Sequence, residues 1–171
     1  MKAYIGSLLF VSLFSLSASA QQTSFRDSLL DHMTGEWLLH GTIMDQQTTH
    51  DVTAGWVLAH QYLQLHEVSD ERDSTGKPIY EAIVFLGWDK TASQYDCLWL
   101  DVTSGEGLTG KVIGHGNRSG DSIPFLFNGT DGSIFHTTFS YDRAKDTWQW
   151  IMDSEANGKL EPFARLTLTR K

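Results

Sequence analysis

From Glu36 to the C-terminus the chain is a series of short runs rich in Val, Ile, Trp, Tyr, Phe and Thr, and the gaps between them are too short for a crossover. Ten runs fall at 36–44, 50–58, 61–69, 78–88, 94–102, 107–115, 121–127, 133–141, 147–153 and 160–170. Turn-forming clusters divide them: DSTGKP from Asp73, DKTAS from Asp89, TSGEG from Thr103, HGNRSGD from His115, NGTDG from Asn128, DRAKD from Asp142 and SEANGK from Ser154. A parallel pair needs a connection of about a dozen residues, so each run is expected to lie antiparallel to the next. Asn128-Gly129 and Asp131-Gly132 suit tight hairpins that demand positive φ. One open sheet of so many strands would leave two long edges unpaired, and closure removes both. The chain therefore reads as all-β: a closed up-and-down antiparallel barrel of about ten strands. One short helix precedes it in SFRDSLLDHM, with Ser24 as N-cap, Phe25, Leu29, Leu30 and Met33 at helical spacing, and Thr34-Gly35 as its stop.

Alternation within the runs predicts which face is dry. Trp37, Leu39 and Ile43 share one face, as do Phe125 and Phe127, then Phe135, Phe139 and Tyr141, then Trp148, Trp150 and Met152. Opposite positions such as His136, Thr138, Ser140, Gln149 and Asp153 are polar, as expected for a barrel wet outside. The run at 61–69 has two readings. Either Tyr62, Gln64 and His66 point inward as a polar stripe that would orient a ligand, or Leu63 and Leu65 fill the core and that stripe faces solvent.

The first 20 residues stand apart. Met1 and Lys2 precede an apolar run from Tyr4 to Leu16, and Ala18-Ser19-Ala20 offers a small-residue cleavage pattern. This predicts a secretory signal peptide over 1–20 and a barrel domain over 21–171, hence a secreted or periplasmic protein. No second long apolar run follows, so no membrane-spanning segment is expected after cleavage. The formal net charge is −8, and no basic stripe suggests nucleic acid as a partner. Cys97 is the single cysteine, which rules out an internal disulfide, and its strand-like surroundings read as a small buried hydrophobe.

A short helix, a Gly-x-Trp opening the first strand (Gly35, Trp37) and a closing RLTLTRK with Leu166, Leu168 and Arg170 on one face resemble the calycin superfamily, the lipocalins, fatty-acid-binding proteins and their relatives. That resemblance implies a barrel closure in which Arg170 covers Trp37. The chemistry supports it independently, since a guanidinium on an indole face is worth ~0.5–2 kcal/mol. The blocks LDHMTGEW, AGWVLAHQYLQLHEV, YEAIVFLGWDKTASQYDCLWLD and ARLTLTRK are similar to a secreted bacterial family of unknown function within that superfamily. The similarity implies a fold and, loosely, a small-molecule cavity, with no activity to carry over. Nitrobindin-like relatives bind heme through one His and open with Gly-x-Trp-x-Gly-x-Gly. Here GEWLLHG keeps Gly35, Trp37 and Gly41 but has Leu39 at the middle glycine, so no heme or other cofactor is expected.

Seven histidines (His32, His40, His50, His60, His66, His115 and His136) are scattered without metal-ligand spacing, and no Gly-x-Ser-x-Gly marks a nucleophile. Glu67, Glu81, Asp89, Asp96 and Asp101 supply carboxylates, but no pair stands out by spacing. The expected function is a barrel that binds a small, largely apolar or amphipathic ligand. Its walls would be Trp56, Phe85, Trp99, Phe135, Phe139, Trp148 and Trp150, with Tyr62, Gln64 and His66 at the ligand's polar head. Two other readings are a barrel packed solid by its own side chains, serving a structural or interaction role, and an enzyme using a cavity His and a carboxylate.

Overall fold

The computed structural model describes residues 25–103, 105 and 107–171. The leader read at 1–20, and Ser24, lie outside the described residues. Alternating strands joined by tight turns produce α1 (Ser28–Asp31), β1 (Gly35–Ile43), β2 (Gln46–Val57), β3 (Tyr62–Ser69), β4 (Glu81–Asp89), β5 (Gln94–Asp101), β6 (Ile113–Gly116), β7 (Ser122–Asn128), β8 (Ile134–Asp142), β9 (Thr147–Ala156) and β10 (Lys159–Arg170). Each strand pairs antiparallel with its successor, and β10 pairs with β1, so the described residues form a closed ten-stranded up-and-down barrel.

Two elements differ from the sequence reading. The helix is a single turn, and its N-cap is Asp27, whose carboxylate accepts from the Leu29 N–H (2.7 Å) and the Leu30 N–H (3.1 Å). The run at 107–115 yields strand only from Ile113, after a 3-10 turn at Gly110–Val112. Its glycines are the reason β6 fits at all. A Cβ on Gly114 would stand 2.5 Å from the Phe127 ring, and one on Gly116 would stand 1.7 Å from the Pro124 carbonyl oxygen.

The inner face is nearly continuous hydrocarbon. Trp37, Leu39, Leu63, Leu65, Val84, Leu86, Cys97, Phe125, Phe139, Trp148, Trp150 and Leu168 are fully buried. Leu29, Leu30 and Met33 join the same core, so α1 closes the end of the barrel where β1 begins and β10 finishes. Trp37 is fixed there from three sides. Its indole N–H donates to the Met33 carbonyl (2.7 Å), its ring lies 4.1 Å beneath the Arg170 guanidinium, and Arg170 is its cross-strand partner. The guanidinium also donates to the carbonyls of Thr34 (2.9 Å) and His32 (2.8 Å) and to Asp146 (2.6 Å). Gly35 makes room for this arrangement. At φ +125°, a Cβ there would stand 2.8 Å from the Arg170 Nη1. Glycine is the residue that reaches such a φ without steric cost.

Asp27 joins this helix to the barrel wall. Beyond capping α1, it accepts a hydrogen bond from the buried Tyr95 hydroxyl and pairs with Arg118 (3.3 Å). Burial first, and then the bond to Asp27, push the Tyr95 phenol up to about 12. The unfolded chain ionises a tyrosine near its ordinary value of about 10. Holding Tyr95 neutral therefore stabilises the fold fully below pH about 10, and that contribution is lost as pH rises through about 12. Unfolding free energy measured by denaturant titration should fall across this window. Tyr95→Phe should make the fall shallower, and an unchanged slope would show that Tyr95 ionises in the folded state.

Candidate functional site

The ten residues read from sequence as ligand contacts do not converge. Tyr62, Gln64, His66 and Phe85 lie on the outer surface of β3 and β4, because Leu63, Leu65, Val84 and Leu86 take the inner positions. The inward version of the β3 stripe is thus corrected, and Phe85 leaves the proposed wall with it. His66 pairs on the outside with Glu81 (Nε2 to Oε1, 2.7 Å), and Tyr62 lays its ring over Gly87. Trp56 and Trp148 do face inward, but at the helix end. The Trp56 indole donates to Asp31 (2.8 Å), and the Trp148 indole points at the His32 carbonyl (3.5 Å). His136 is on the outer face, bonded to Glu155 (2.7 Å). Cys97 is buried, and burial raises its thiol well above the ordinary value. Such a thiol is inert packing rather than a nucleophile.

Trp99, Phe135, Phe139 and Trp150 remain together, in the middle and at the end of the barrel away from α1. Trp150 stacks on Phe139 (4.6 Å between centroids) and meets Trp99 at 5.0 Å. Phe135 meets Phe163 edge-on at 5.1 Å. Trp99, Phe135 and Phe163 are only partly buried, so this mouth is lined by aromatic rings that the helix does not cover.

Behind them sits a polar group the sequence reading missed. β2 turns His50 inward and β3 turns Glu67 inward, each 3% exposed, and the His50 Nδ1 donates to the Glu67 Oε1. The other ring nitrogen of His50 shares a hydrogen with the Thr48 hydroxyl (2.6 Å). Tyr80, in the segment leading into β4, stacks on the His50 ring at 5.5 Å. Ser69 holds it in place through reciprocal bonds, its N–H donating to the Tyr80 carbonyl and its hydroxyl accepting the Tyr80 N–H, each 3.0 Å. The Trp99 indole then donates to the Tyr80 hydroxyl (3.3 Å). The contacts form one chain from Trp150 through Trp99, Tyr80 and His50 to Glu67.

Burial first, and then the negative charge of Glu67, push the Tyr80 phenol well above its ordinary value, so it stays a neutral hydrogen-bonding group. Among the described residues, three buried polar atoms in this interior lack a hydrogen-bond partner: Glu67 Oε2, Thr137 Oγ1 and Trp150 Nε1. Thr137 and Trp150 point inward from adjacent strands, one diagonal step apart, since Thr137 faces Met152 and Phe139 faces Trp150. Among the described residues no group of three or more His, Cys, Asp and Glu side chains is placed to hold a metal ion. Two hollows lie elsewhere. One of about 230 Å³ sits at the rim between β4 and β5, lined by Glu81, Ala82, Ile83, Leu100, Asp101 and Val102. The other, on the outside near Asp121, Tyr141 and Arg143, is open to solvent.

No family model and no curated protein sequence matches this chain. The site therefore has to be read from its own chemistry. Signals for it were present in the alternation. Val52, Ala54 and Trp56 put His50 on the inner face of β2, and Leu63 and Leu65 put Glu67 on the inner face of β3. A charged residue that continues an apolar stripe marks a buried polar group, which stability alone rarely favours.

Proposed function

We propose that the chain is a secreted or periplasmic barrel of calycin type that binds a small molecule at the end away from α1, with Trp99, Trp150 and Phe135 against its apolar part and the His50–Glu67–Tyr80 group at its polar part. The observation that carries this reading is the set of unpartnered buried atoms on Glu67, Thr137 and Trp150. Leaving each one unpaired costs about 1–3 kcal/mol, so three in one interior call for a guest or ordered water to satisfy them. The partly exposed aromatics at the mouth supply apolar surface beside a few convergent polar groups, the usual make-up of a ligand pocket. The leader pattern at 1–20 supports export.

An environment-sensitive naphthalene probe tests the location. Binding should weaken at least about tenfold, the equivalent of 1.4 kcal/mol, in Trp99→Leu and in Trp150→Phe. His66→Ala, on the outer surface, should bind like wild type. No binding by the wild-type protein would instead favour a barrel packed solid as a scaffold. The buried His–carboxylate bond also supports an acid–base enzyme acting on the bound molecule. That reading predicts turnover abolished by Glu67→Gln with probe binding retained.

A further inference from the structure

The outside of the barrel is uneven. Outward positions elsewhere are chiefly polar, such as Thr49, Asp51 and Thr53 on β2 and Arg165, Thr167 and Thr169 on β10. On β4, β5 and β6 they are apolar. Val84 and Cys97 are buried in the core, so their alternating neighbours Ile83, Phe85, Leu98 and Leu100 face out. The register joins these side chains into one patch. Phe85 lies opposite Leu98, Leu98 opposite Ile113, and Ile83 opposite Leu100. Ile113 is exposed and the other four are half-buried. The hollow of about 230 Å³ at the rim continues this patch, because it shares Ile83 and Leu100 and adds the exposed Val102. A recess beside a flat apolar face is a shape that takes one large apolar side chain from outside. Contiguous exposed apolar surface of this kind marks an interaction site, since the core gains nothing from it.

The border of the patch carries the charge. β3, β4, β5 and β6 contain no lysine or arginine. Carboxylates flank the patch instead: Glu81, two residues before Ile83 and 2.7 Å from His66, and Asp96, two residues before Leu98 and 2.7 Å from His115. Glu81 and Asp101 also line the hollow. A second copy of the chain would set this acidic border against its like, on a molecule of formal net charge −8. An anionic bilayer is disfavoured for the same reason. Complementary potential requires a cationic occupant.

We propose that the outer face of β4–β6 docks a cationic, amphipathic protein segment. Its apolar ridge lies on Ile83, Leu98, Leu100 and Ile113, one large apolar side chain enters the β4–β5 hollow, and lysines or arginines beside that ridge face Glu81 and Asp96. This surface is on the outside of the wall, so the proposal is independent of the interior binding reading.

Three amphipathic peptides of one length test it: one of leucine and lysine, one with glutamate in place of lysine, and one with serine in place of leucine. Methyl resonances of Ile83, Leu98, Leu100 and Ile113 in the wild-type protein report on contact, each assigned by its loss in a variant. The leucine–lysine peptide should shift these resonances and bind about tenfold or more tightly than either of the others. Leu100→Ser and Ile113→Ser should each weaken it about tenfold, as truncating an interface anchor does. Leu38→Ser, on the outer face of β1, should bind like wild type. Glu81→Gln combined with Asp96→Asn should lower the affinity and flatten its salt dependence. Equal binding of the serine–lysine peptide would reduce the contact to charge alone and overturn the proposal. Equal binding of the leucine–glutamate peptide, shifts confined to other strands, or no binding by the wild-type protein would overturn it too. If the same methyl resonances move on raising the protein concentration alone, or on adding phosphatidylcholine vesicles, the occupant is a second copy or a lipid surface and the proposal falls.

Discussion

Trp37→Ala should destabilise the barrel by about 3–5 kcal/mol, the range for deleting a large buried aromatic. The indole is fully buried, its N–H is bonded at 2.7 Å, and its face carries the Arg170 guanidinium. Losing it removes the core contact of the first strand and the platform on which the last strand's cation rests. Arg170→Ala should cost less, because the guanidinium is partly exposed and its pair with Asp146 is open to solvent. The two replacements should not add. A double-mutant cycle by urea denaturation should give a coupling of about 0.5–2 kcal/mol, the value of a cation on an aromatic face. Strict additivity would mean that the 4.1 Å stacking contributes no energy.

The second large effect belongs to the opposite end. His50→Ala strands the Glu67 carboxylate in the interior, and breaking a buried pair in this way costs about 3–5 kcal/mol. Replacing both residues by leucine should do the reverse. With neither charge to desolvate, the double variant should match wild type or exceed it by about 1–4 kcal/mol. Thermal or urea melts of the three proteins decide the point. A double variant as stable as wild type that no longer binds ligand would mark the pair as kept for function at the expense of stability. A double variant as weak as His50→Ala would make it a structural element instead.

How far the sequence reveals this molecule can be traced residue by residue. Period-two alternation and short turns were enough for the strand count, the antiparallel order and the inner stripes of β1, β7, β8 and β9. They left the face of β3 open for a specific reason. Its two faces carry Leu63 and Leu65 against Tyr62 and His66, and a single-residue slip exchanges the faces entirely. They also overextended β6, where the run at 107–115 reads as strand but the chain makes a 3-10 turn at Gly110–Val112 and becomes strand only from Ile113. His50 and Glu67 are 17 residues apart and are not directly opposite in the ladder, since His50 faces Ser69 and Glu67 faces Val52. No linear spacing announces that diagonal. It exists only once the β2–β3 hairpin register is fixed, and Tyr80 joins it from outside any strand.

The short β6 also sets how this cylinder comes apart. Two residue pairs, His115–Leu126 and Gly116–Phe125, tie β6 to β7, whereas β8 and β9 are laddered from Ile134 to Asp142. Cooperative opening starts where backbone bonds are fewest, so the barrel should part along this line into a curled sheet long before it melts. Amide protons on β6 and the facing edge of β7 would then exchange sooner than those along the β1–β10 closure. An opened cylinder shows two bare strand edges, the usual template for joining copies of a chain. Here one edge is four residues long, and the other contains Pro124, which has no N–H to offer an incoming strand. The place most apt to gape is thus poorly suited to zipping onto a neighbour.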